Sequence, residues 1–564
     1  MLRGGIALAA AAGWLPGWAR AQGLTPALSG EDITLAIAHQ TATIGGRTAH
    51  AIGINGVTPG PLIRLREGQR VRLTVDNRLD EDTSIHWHGL LVPFHMDGVP
   101  GVSFPGIGAG KRFTYEFPIV QSGTYWYHSH SGLQEQSGHY GPLVIDPAGT
   151  DPIAADREHI VMLSDHSPMH PHTIFRKLKQ QGGYFNWQKQ TLAGQLAGRD
   201  QEAGERREWG RMRMDPTDVA DVTGRLYTYL VNGHAPADNW TGLFEAGQRV
   251  RLRVINASAM TTFNLRIPGL RLTVVAADGL PVRPVTVDEL QVAVAETYDL
   301  LVEPADRAYA LVAETVDRSG MAVGTLAPRP GLHAEAPALR RRPLATMKDM
   351  GMGGMDHGGS GGDASCPPEH AAMGHCTPGG GAMEHSMRDF SVAPEVKRTP
   401  TVQSISPMPV DRMGEPGQGL ADVDHNVLTY RDLVALTPNP DTRPPARELR
   451  IHLTGNMERY MWAFDGVKLS EVKAPIAFKE GERVRVTLVN DTMMGHPIHL
   501  HGHFFELVTG HGDHAPRKHT IQVQPGGTAT FDLTADAVGD WAFHCHMLYH
   551  MHAGMMQVVS VRPA

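Results

Sequence analysis

Cysteine is almost absent from this sequence, with 3 residues among 564, whereas histidine (31) and methionine (25) are abundant. So few cysteines exclude a disulfide framework as the basis of the fold. The formal net charge is −8 with acidic and basic residues mixed along the chain, so no basic region indicates nucleic-acid binding. Outside the N-terminus no apolar run is long enough to span a membrane. The residues in excess carry imidazole and thioether groups, which are good ligands for copper.

Residues 1–22 have the pattern of a secretory signal peptide. Arg3 precedes an apolar run from Ile6 to Trp18, and Ala19-Arg20-Ala21 matches an A-x-A cleavage site. We therefore expect export and no membrane span in the mature protein. A protein that folds around metal before export is expected to use the twin-arginine route, yet only Arg3 is present. Either the true start lies upstream or export uses another route.

One pattern occurs three times along the chain. A glycine turn followed by alternating apolar and polar residues occupies Glu67–Asn77, Ala246–Asn256 and Glu480–Asn490. Such alternation is typical of a half-buried strand. The spacing far exceeds a solenoid period and indicates repeated domains. The pattern predicts an all-β fold of three Greek-key β-sandwich domains in tandem.

The expected domain boundaries follow the repeats and the changes in composition. Residues 164–221 are irregular and charged, and Thr173–Gln180 has helical spacing, so domain 2 is expected to contain a helical insertion. Residues 331–400 are rich in Pro, Gly, Met and His and are predicted to be a linker. The three domains are expected at residues 23–150, 151–330 and 401–564.

A stretch near the C-terminus offers ligands for two metal sites. In a strand, alternate side chains share a face, so His544 and His546 point one way and Cys545 the other. A cysteine thiolate, two imidazoles and a distant axial methionine form a blue-copper electron-transfer site. Cys545, His550 and Met555 offer the thiolate, one imidazole and the axial thioether. The second imidazole has to come from elsewhere.

The repeat register locates further histidines. Nine residues after Asn77 and after Asn490 an H-x-H pair begins, whereas the second copy has apolar residues there. Eight imidazoles drawn equally from domains 1 and 3 suit a three-copper cluster at the interface of these domains. One such pair would mean little, but four pairs at matched register are hard to attribute to chance. The pairs are His86/His88, His128/His130, His499/His501 and His544/His546.

His496 lies just before the third pair and supplies the imidazole that the blue-copper site lacks. Met555, taken alone, is consistent with core packing, but its place after Cys545 and His550 favours ligation. Domain 1 has Ser129 and Gln134 where domain 3 has its cysteine and second histidine, so domain 1 is not expected to hold blue copper. The predicted blue-copper ligands are His496, Cys545, His550 and Met555.

The four histidine motifs HWHG, HSH, HPIHLHG and HCHMLYHMHAGM resemble those of the multicopper oxidases. The likeness covers nearly the whole chain and is closest to the bacterial periplasmic copper-resistance protein A family. It implies three cupredoxin-like domains, a periplasmic location and four copper ions. The stretches that resemble that family specifically are Glu208–Asp218, Asn239–Phe244, Gly455–Tyr460 and Arg517–Thr520.

The resemblance also implies a role for each ligand. The blue-copper residues would hold the type 1 ion, and His86 and His499 would hold the type 2 ion. Family chemistry couples four one-electron oxidations of substrate to reduction of O2 to two waters, with electrons entering at Cys545. The type 3 pair would be held by His88, His128, His130, His501, His544 and His546.

Reduction of O2 consumes protons, and a carboxylate near the cluster would help to deliver them. Asp97, nine residues after His88, matches a position with this role in related oxidases. Asp97-Gly98 is equally suited to a turn, and both interpretations stay open. Some relatives have an acid directly after the type 1 histidine, but this chain has Met551 there.

The stretch Met347–Met387 combines seven methionines and four histidines with many glycines. Thioethers favour Cu(I), so we predict a copper-gathering role rather than a linker with incidental methionines. Cys366 and Cys376 can form a disulfide or bind copper, and the sequence does not decide between them. A second group is interpreted as surface-loop residues rather than a site: His166, Met169, His170 and His172.

Two functions of different classes are consistent with these residues. The first is a laccase-like or cuprous oxidase that serves copper resistance, with O2 and either Cu(I) or a small phenol as substrates. The second is a periplasmic copper-sequestering protein whose oxidase activity is incidental. A periplasmic copper chaperone is a candidate partner, and the chain is expected to be a monomer. The sequence does not identify the physiological reductant.

Overall fold

A computed structural model describes residues 27–352 and 387–564. The predicted signal peptide and residues 353–386 of the Met/His stretch, including Cys366 and Cys376, lie outside the described residues. The described residues form six β-sheets, arranged as two sheets per domain, and four short α-helices. The predicted all-β fold of three cupredoxin-like sandwiches is confirmed. No helix in the described ranges is long and apolar enough to cross a membrane.

Domain 1 is a sandwich of two four-stranded sheets. Its strands are β1 (Asp32–Ile44), β2 (Arg47–Ile54), β3 (Ile63–Arg66), β4 (Arg70–Asn77), β5 (His86–His88), β6 (Arg112–Pro118), β7 (Gly123–His128) and β8 (Tyr140–Asp146). One sheet has the order β2-β1-β4-β6 and the other β3-β8-β7-β5. The second sheet carries both histidine pairs of this domain.

Domain 2 has a six-stranded and a five-stranded sheet. Its strands are β9 (Arg157–His166), β10 (Thr228–Val231), β11 (Trp240–Leu243), β12 (Val250–Asn256), β13 (Phe263–Arg266), β14 (Leu272–Ala277), β15 (Leu280–Val287), β16 (Glu289–Val292), β17 (Thr297–Val302), β18 (Tyr309–Thr315) and β19 (Met321–Ala327). The sheet orders are β10-β9-β12-β17-β14-β15 and β11-β19-β18-β13-β16.

Three helices lie between β9 and β10, at Pro171–Gln180, Leu192–Leu196 and Ala203–Met212. The first begins with a proline, whose missing N–H is not needed at a helix N-terminus. It buries Ile174 and Leu178, which are four residues apart and therefore on one face. This segment packs between domain 2 and domain 3.

Domain 3 repeats the sandwich at the C-terminus. Its strands are β20 (Val410–Asp411), β21 (Arg447–Asn456), β22 (Met461–Phe464), β23 (Ile476–Lys479), β24 (Arg483–Asn490), β25 (His496–Leu500), β26 (Phe505–Leu507), β27 (Arg517–Lys518), β28 (Thr520–Val523), β29 (Gly527–Thr534), β30 (Gly539–Cys545) and β31 (Met556–Arg562). The orders are β22-β21-β24-β29-β26-β27, with β20 joining β29, and β23-β31-β30-β25-β28. A fourth helix, Leu548–Ala553, follows β30.

The three sequence repeats occupy equivalent places, at β4, β12 and β24. Each of these strands pairs in parallel with an earlier strand and antiparallel with a later one. Each ends in an asparagine whose side-chain N–H donates to a backbone carbonyl four or five residues later. These asparagines, Asn77, Asn256 and Asn490, fix the turn that leads into the next strand, which in domains 1 and 3 bears histidines.

Strand pairing brings the histidine pairs together within each domain. In domain 1, His86 of β5 is the register partner of His128 of β7. In domain 3, His499 of β25 is the register partner of His544 of β30. Trp87 lies in the core of domain 1, so the alternating histidines on either side of it face away from that core. The four pairs therefore line two facing sheet surfaces.

Candidate metal centres

Three of the predicted blue-copper residues come together in domain 3. Sγ of Cys545 lies 3.6 Å from Nδ1 of His496 and 3.9 Å from Nδ1 of His550, and the two nitrogens are 3.2 Å apart. All three side chains are buried. Met555 is also buried, and its backbone carbonyl accepts a hydrogen bond from Cys545 N. The helix between Cys545 and Met555 reverses the direction of the chain, so Met555 lies beside the cysteine.

Burial controls the protonation of these groups. It lowers the pKa of His496 and His550 well below the usual value and raises the pKa of the Cys545 thiol. Neutral imidazoles present free lone pairs, and a bound cation would favour the thiolate over the thiol. Two nitrogens and one soft sulfur are a donor set that suits copper.

A carboxylate from domain 2 reaches this centre. Oδ2 of Asp221 lies 2.6 Å from Nε2 of His550 and accepts a hydrogen bond from the Tyr460 hydroxyl at 2.7 Å. Burial raises the pKa of Asp221 to about 7. The Trp462 ring stacks on His550 with centroids 3.8 Å apart. The carboxylate and the indole together fix the orientation of this imidazole.

All eight histidines of the four H-x-H pairs converge where domains 1 and 3 meet. Across this boundary, Nε2 of His544 lies 3.4 Å from Nε2 of His130. The His546 ring centroid lies 4.9 Å from that of His88 and 5.0 Å from that of His128. Three sets of donor atoms lie within 4.8 Å of one another: His86/His88/His128, His86/His499/His501 and His130/His501/His544.

The chemistry of this cluster fits a set of metal ions. Burial lowers the pKa of six of these histidines well below the usual value, so the imidazoles are neutral. Several buried ring nitrogens have no hydrogen-bond partner among the described residues, although buried polar atoms are almost always paired. A cation would satisfy these lone pairs. The unpartnered atoms are Nε2 of His86, His128 and His499, Nδ1 of His88, and both nitrogens of His546.

Asp97 is fully buried at the same boundary. Its Oδ2 accepts a hydrogen bond from Nδ1 of His501 at 2.9 Å, and its backbone carbonyl accepts one from Nδ1 of His86 at 2.7 Å. It also forms a tight turn, because Gly98 has φ +84° and a Cβ there would lie 1.8 Å from the Ile85 carbonyl oxygen. Asp97 thus combines the turn with a place at the cluster, and proton delivery stays a prediction.

Glu135 is a buried carboxylate that sequence reasoning missed. Its Oε2 lies 2.9 Å from Nδ1 of His128, and burial raises its pKa well above the usual value. The repeat register contained a signal for it. Gln134 corresponds to His550, so Glu135 corresponds to Met551, the position at which domain 3 lacks the acid that some relatives have.

His519 was also missed, as a ninth imidazole beside the cluster. Its donor atom lies within 4.8 Å of those of His88 and His499, and burial lowers its pKa to about 4. Its Nε2 has no partner among the described residues. His519 lies between β27 and β28 and is not part of an H-x-H pair, so spacing did not mark it.

Eight methionines from the helical segment of domain 2, the Met/His stretch and domain 3 pack together, and we call them the methionine cluster. Met350 and Met493 are buried, and the others are partly buried around Trp209. The described ends of the Met/His stretch, Met347–Met352 and Met387, both belong to it. The cluster consists of Met212, Met214, Met347, Met350, Met352, Met387, Met457 and Met493.

A cavity of about 410 Å³ opens beside the methionine cluster and is lined by Met214, Met457, Met493 and Asp218, among others. Oδ1 of Asp218 is buried and has no partner among the described residues, and burial raises the pKa of this carboxyl to about 8. Asp218 is three residues before Asp221, which contacts His550. One wall of the cavity thus belongs to the chain segment whose Asp221 contacts His550.

The other histidine patch of the sequence analysis lies at the start of the first helix. His170 is the N-cap residue and its ring accepts a hydrogen bond from the His172 backbone N–H. The rings of His170 and His172 stack with centroids 5.4 Å apart. His166 ends β9, and Met169 packs against the main hydrophobic core. The described structure does not gather these four residues into one donor set.

Comparison with known proteins agrees with this geometry. Models of the multicopper oxidase family match residues 36–150, 157–329 and 442–564. The chain is 50% identical to the copper resistance protein A homolog of Pseudomonas syringae pv. tomato, covering 97% of this chain and 95% of that protein. It is 46% identical to copper resistance protein A of Escherichia coli, covering 99% and 98%. The fold resembles laccase from Botrytis aclada with a TM-score of 0.64 at 21% identity, covering 95% of this chain and 88% of that one.

Proposed function

Because the chain belongs to the multicopper oxidase family and is similar to its copper resistance protein A members, we propose that it oxidises Cu(I) and passes the electrons to O2. It is a copper-dependent oxidoreductase, and copper resistance is the role that this reaction would serve. Export to the periplasm, copper delivery by a chaperone and a monomeric state belong to the same proposal. A small phenol is a second reductant that the centre would accept.

We assign four copper ions to the converging donors. His496, Cys545 and His550, with Met555 as axial ligand, would hold the type 1 ion. His86 and His499 would hold the type 2 ion. Bound there, copper supplies one-electron redox chemistry and reduction of O2 to two waters. The type 3 pair would be held by His88, His128, His130, His501, His544 and His546.

The protein residues around these donors set their orientation. Asp221 holds a proton on Nε2 of His550, which leaves Nδ1 directed at Cys545. Cys545 and the flanking His544 and His546 are neighbours in one chain. An electron that enters at Cys545 therefore has a covalent route to the interdomain cluster. Asp97, hydrogen-bonded to His501, is our candidate for proton delivery.

The observation that favours Cu(I) is the cavity to which Met214, Met457 and Met493 contribute thioethers. Thioethers are soft ligands that prefer Cu(I). Asp215 and Asp218 line the same cavity together with Lys189 and Arg213, and Asp218 is largely uncharged at neutral pH because its pKa is raised to about 8, so the thioethers rather than net charge favour Cu(I). Asp221, three residues further along the chain, bonds directly to His550. Cu(I) bound in the cavity would thus lie beside the chain segment that contacts His550.

The test is steady-state O2 consumption by the copper-loaded protein with Cu(I) and, separately, with a phenol. We expect saturable uptake with Cu(I) at four Cu(I) per O2. Replacing Met457 and Met493 with leucine keeps side-chain volume but removes the thioethers. This change should raise KM for Cu(I) and leave KM for the phenol unchanged. Met162→Leu, a buried residue of β9, is the matched control.

Copper sequestration is the second candidate function, and the size of the methionine cluster favours it. Eight thioethers exceed the needs of one substrate site. Sequestration predicts bound copper well beyond the four catalytic ions, together with slow O2 consumption. If fully copper-loaded protein shows no catalytic O2 uptake with either reductant, the oxidase proposal is wrong and sequestration remains.

A further inference from the structure

The β1–β2 hairpin of domain 1 carries two exposed histidines far along the chain from the copper motifs. His39 is the register partner of Ile52, and His50 is the register partner of Thr41. His39 and His50 therefore occupy diagonal positions on the same face of the sheet, within reach of each other's side chain. Nδ1 of His39 lies 3.0 Å from Nε2 of His50.

In the part of the chain that the structure describes, such a close approach of two ring nitrogens is otherwise confined to the proposed copper sites. Two nitrogens bonded to one ion at about 2.0 Å are about 2.8 to 3.3 Å apart for bond angles between a right angle and the tetrahedral angle. The separation of His39 and His50 falls in that range. Among the described residues, the comparable pairs are His130–His544 at 3.4 Å, His496–His550 at 3.2 Å and His501–His544 at 3.0 Å.

A carboxylate orients the first of these imidazoles. Oδ1 of Asp80 lies 2.9 Å from Nε2 of His39, on the side of the ring away from His50. The carboxylate holds the proton on Nε2 and leaves the Nδ1 lone pair facing His50. Asp221 does the same for His550 in the type 1 centre. The hairpin pair thus has both the donor spacing and the orienting group of a metal site.

The hairpin pair is open to solvent. The His39 side chain is 42% exposed and that of Asp80 is 90% exposed, so an ion can enter without a conformational change. Partial burial, His39 and His170 lower the pKa of His50, while Glu81 raises it. The net effect keeps the His50 imidazole neutral and able to donate a lone pair at neutral pH.

We propose that His39 and His50, oriented by Asp80, form a surface site for Cu(II), separate from the four catalytic ions. Imidazole suits Cu(II), and Cu(II) binds most tightly among the divalent first-row ions. The choice of copper rests on the proposed function, since Cu(II) is the product of Cu(I) oxidation. The site would retain product copper outside the catalytic centres, whereas the methionine cluster suits the reduced ion.

The experiment measures Cu(II) binding to the fully copper-loaded protein by equilibrium dialysis and by difference electron paramagnetic resonance. The double variant His39→Gln/His50→Gln should bind one equivalent less than the unsubstituted protein. Asp80→Asn should still bind this equivalent of Cu(II), but with an affinity about 10–100-fold lower, as expected for loss of an orienting carboxylate. The control is His511→Gln/His514→Gln, because each of these half-buried rings is hydrogen-bonded to a backbone carbonyl. This control should bind as much Cu(II) as the unsubstituted protein.

Equal Cu(II) stoichiometry and affinity in all four proteins would overturn the proposal and leave the contact as a hydrogen bond between two imidazoles. Thermal unfolding of each variant checks that the hairpin is intact. O2 uptake with Cu(I), measured on the same samples, separates this site from the proposed function. Lost binding with unchanged uptake supports the surface site, whereas absent uptake in every sample contradicts only the oxidase.

Discussion

Oδ2 of Asp221 lies 2.6 Å from Nε2 of His550, although the two residues are 329 positions apart in the sequence. Asp221 ends the helical segment of domain 2, whereas His550 lies in the last helix of domain 3. The same carboxylate accepts a hydrogen bond from the Tyr460 hydroxyl. One residue of domain 2 therefore orients a proposed type 1 ligand and joins two domains.

Replacement of Asp221 by Asn should raise the type 1 reduction potential measured at alkaline pH, where Asp221, whose pKa is about 7, is charged and its negative charge stabilises the oxidised ion. The rate of Cu(I) oxidation should fall by about 10–100-fold, the usual effect of losing an outer-shell partner. Redox titration of the blue absorption band and O2 uptake measure the two effects. Tyr460→Phe is the control, since it removes a hydrogen bond to Asp221 but keeps the charge. An unchanged potential in Asp221→Asn would contradict the role of the carboxylate.

Replacement of Cys545 by Ser should abolish the blue absorption band and turnover while leaving the fold intact. Serine has nearly the shape of cysteine but supplies no soft thiolate for the type 1 ion. The cluster ligands His544 and His546 remain, so bound copper should fall from four ions to three. Absorption spectroscopy, metal analysis and circular dichroism check these outcomes. Retention of the blue band would refute the type 1 assignment.

A shortened Met/His stretch tests copper recruitment. Because Met347–Met352 and Met387 pack in the methionine cluster, the deletion should spare them and replace residues 356–384 with a short Gly-Ser linker. We expect KM for Cu(I) to rise several-fold while KM for a phenol stays constant. Steady-state O2 uptake with each reductant measures both. Equal effects on the two reductants would count against recruitment.

The sequence sufficed for the fold and for most of the donor set, because these depend on short-range regularities. Alternation along a strand places His544 and His546 on the face opposite to Cys545. The register of β4 and β24 places the remaining pairs. Strand pairing then brings His86 opposite His128 without further information.

The groups that orient the donors were not predictable in the same way. Asp221 reaches His550 only because two domains dock, and no spacing rule connects residues so far apart. Alignment of the repeats could have indicated Glu135, but a glutamate between strands is ordinarily exposed to solvent. Half of the methionine cluster lies outside the Met/His stretch, in segments where a single methionine is usually a core-packing residue.

Replacement of Glu135 by Gln should impair the interdomain cluster and spare the type 1 centre. The Ser129 carbonyl accepts a hydrogen bond from Nδ1 of His128 at 3.0 Å, and Oε2 of Glu135 lies 2.9 Å from the same nitrogen, so Nε2 is left for a metal. Burial favours the protonated form of Glu135, but bound cations would favour its carboxylate, which glutamine cannot form, so copper affinity at the cluster or O2 reduction should fall by about 10–100-fold. Metal analysis and O2 uptake report the loss, while the blue band should be unchanged.

Glu116→Gln, an exposed partner of Arg70, is the control. Full activity in Glu135→Gln would contradict this positioning role.

Removal of copper should uncouple domain 1 from domain 3. The cluster draws His86 and His130 from domain 1 and His499 and His544 from domain 3, so bound ions cross-link the two sandwiches. Ligands that bind only the folded state stabilise it by about 4 kcal/mol when their free concentration is a thousand times Kd. Calorimetry of the copper-loaded protein should therefore show one joint transition of the two domains at a higher melting temperature. The metal-free protein should show separate transitions. Cys545→Ser, whose lost site lies wholly in domain 3, should keep the joint transition. Identical unfolding profiles with and without copper would show that protein contacts alone hold the domains together.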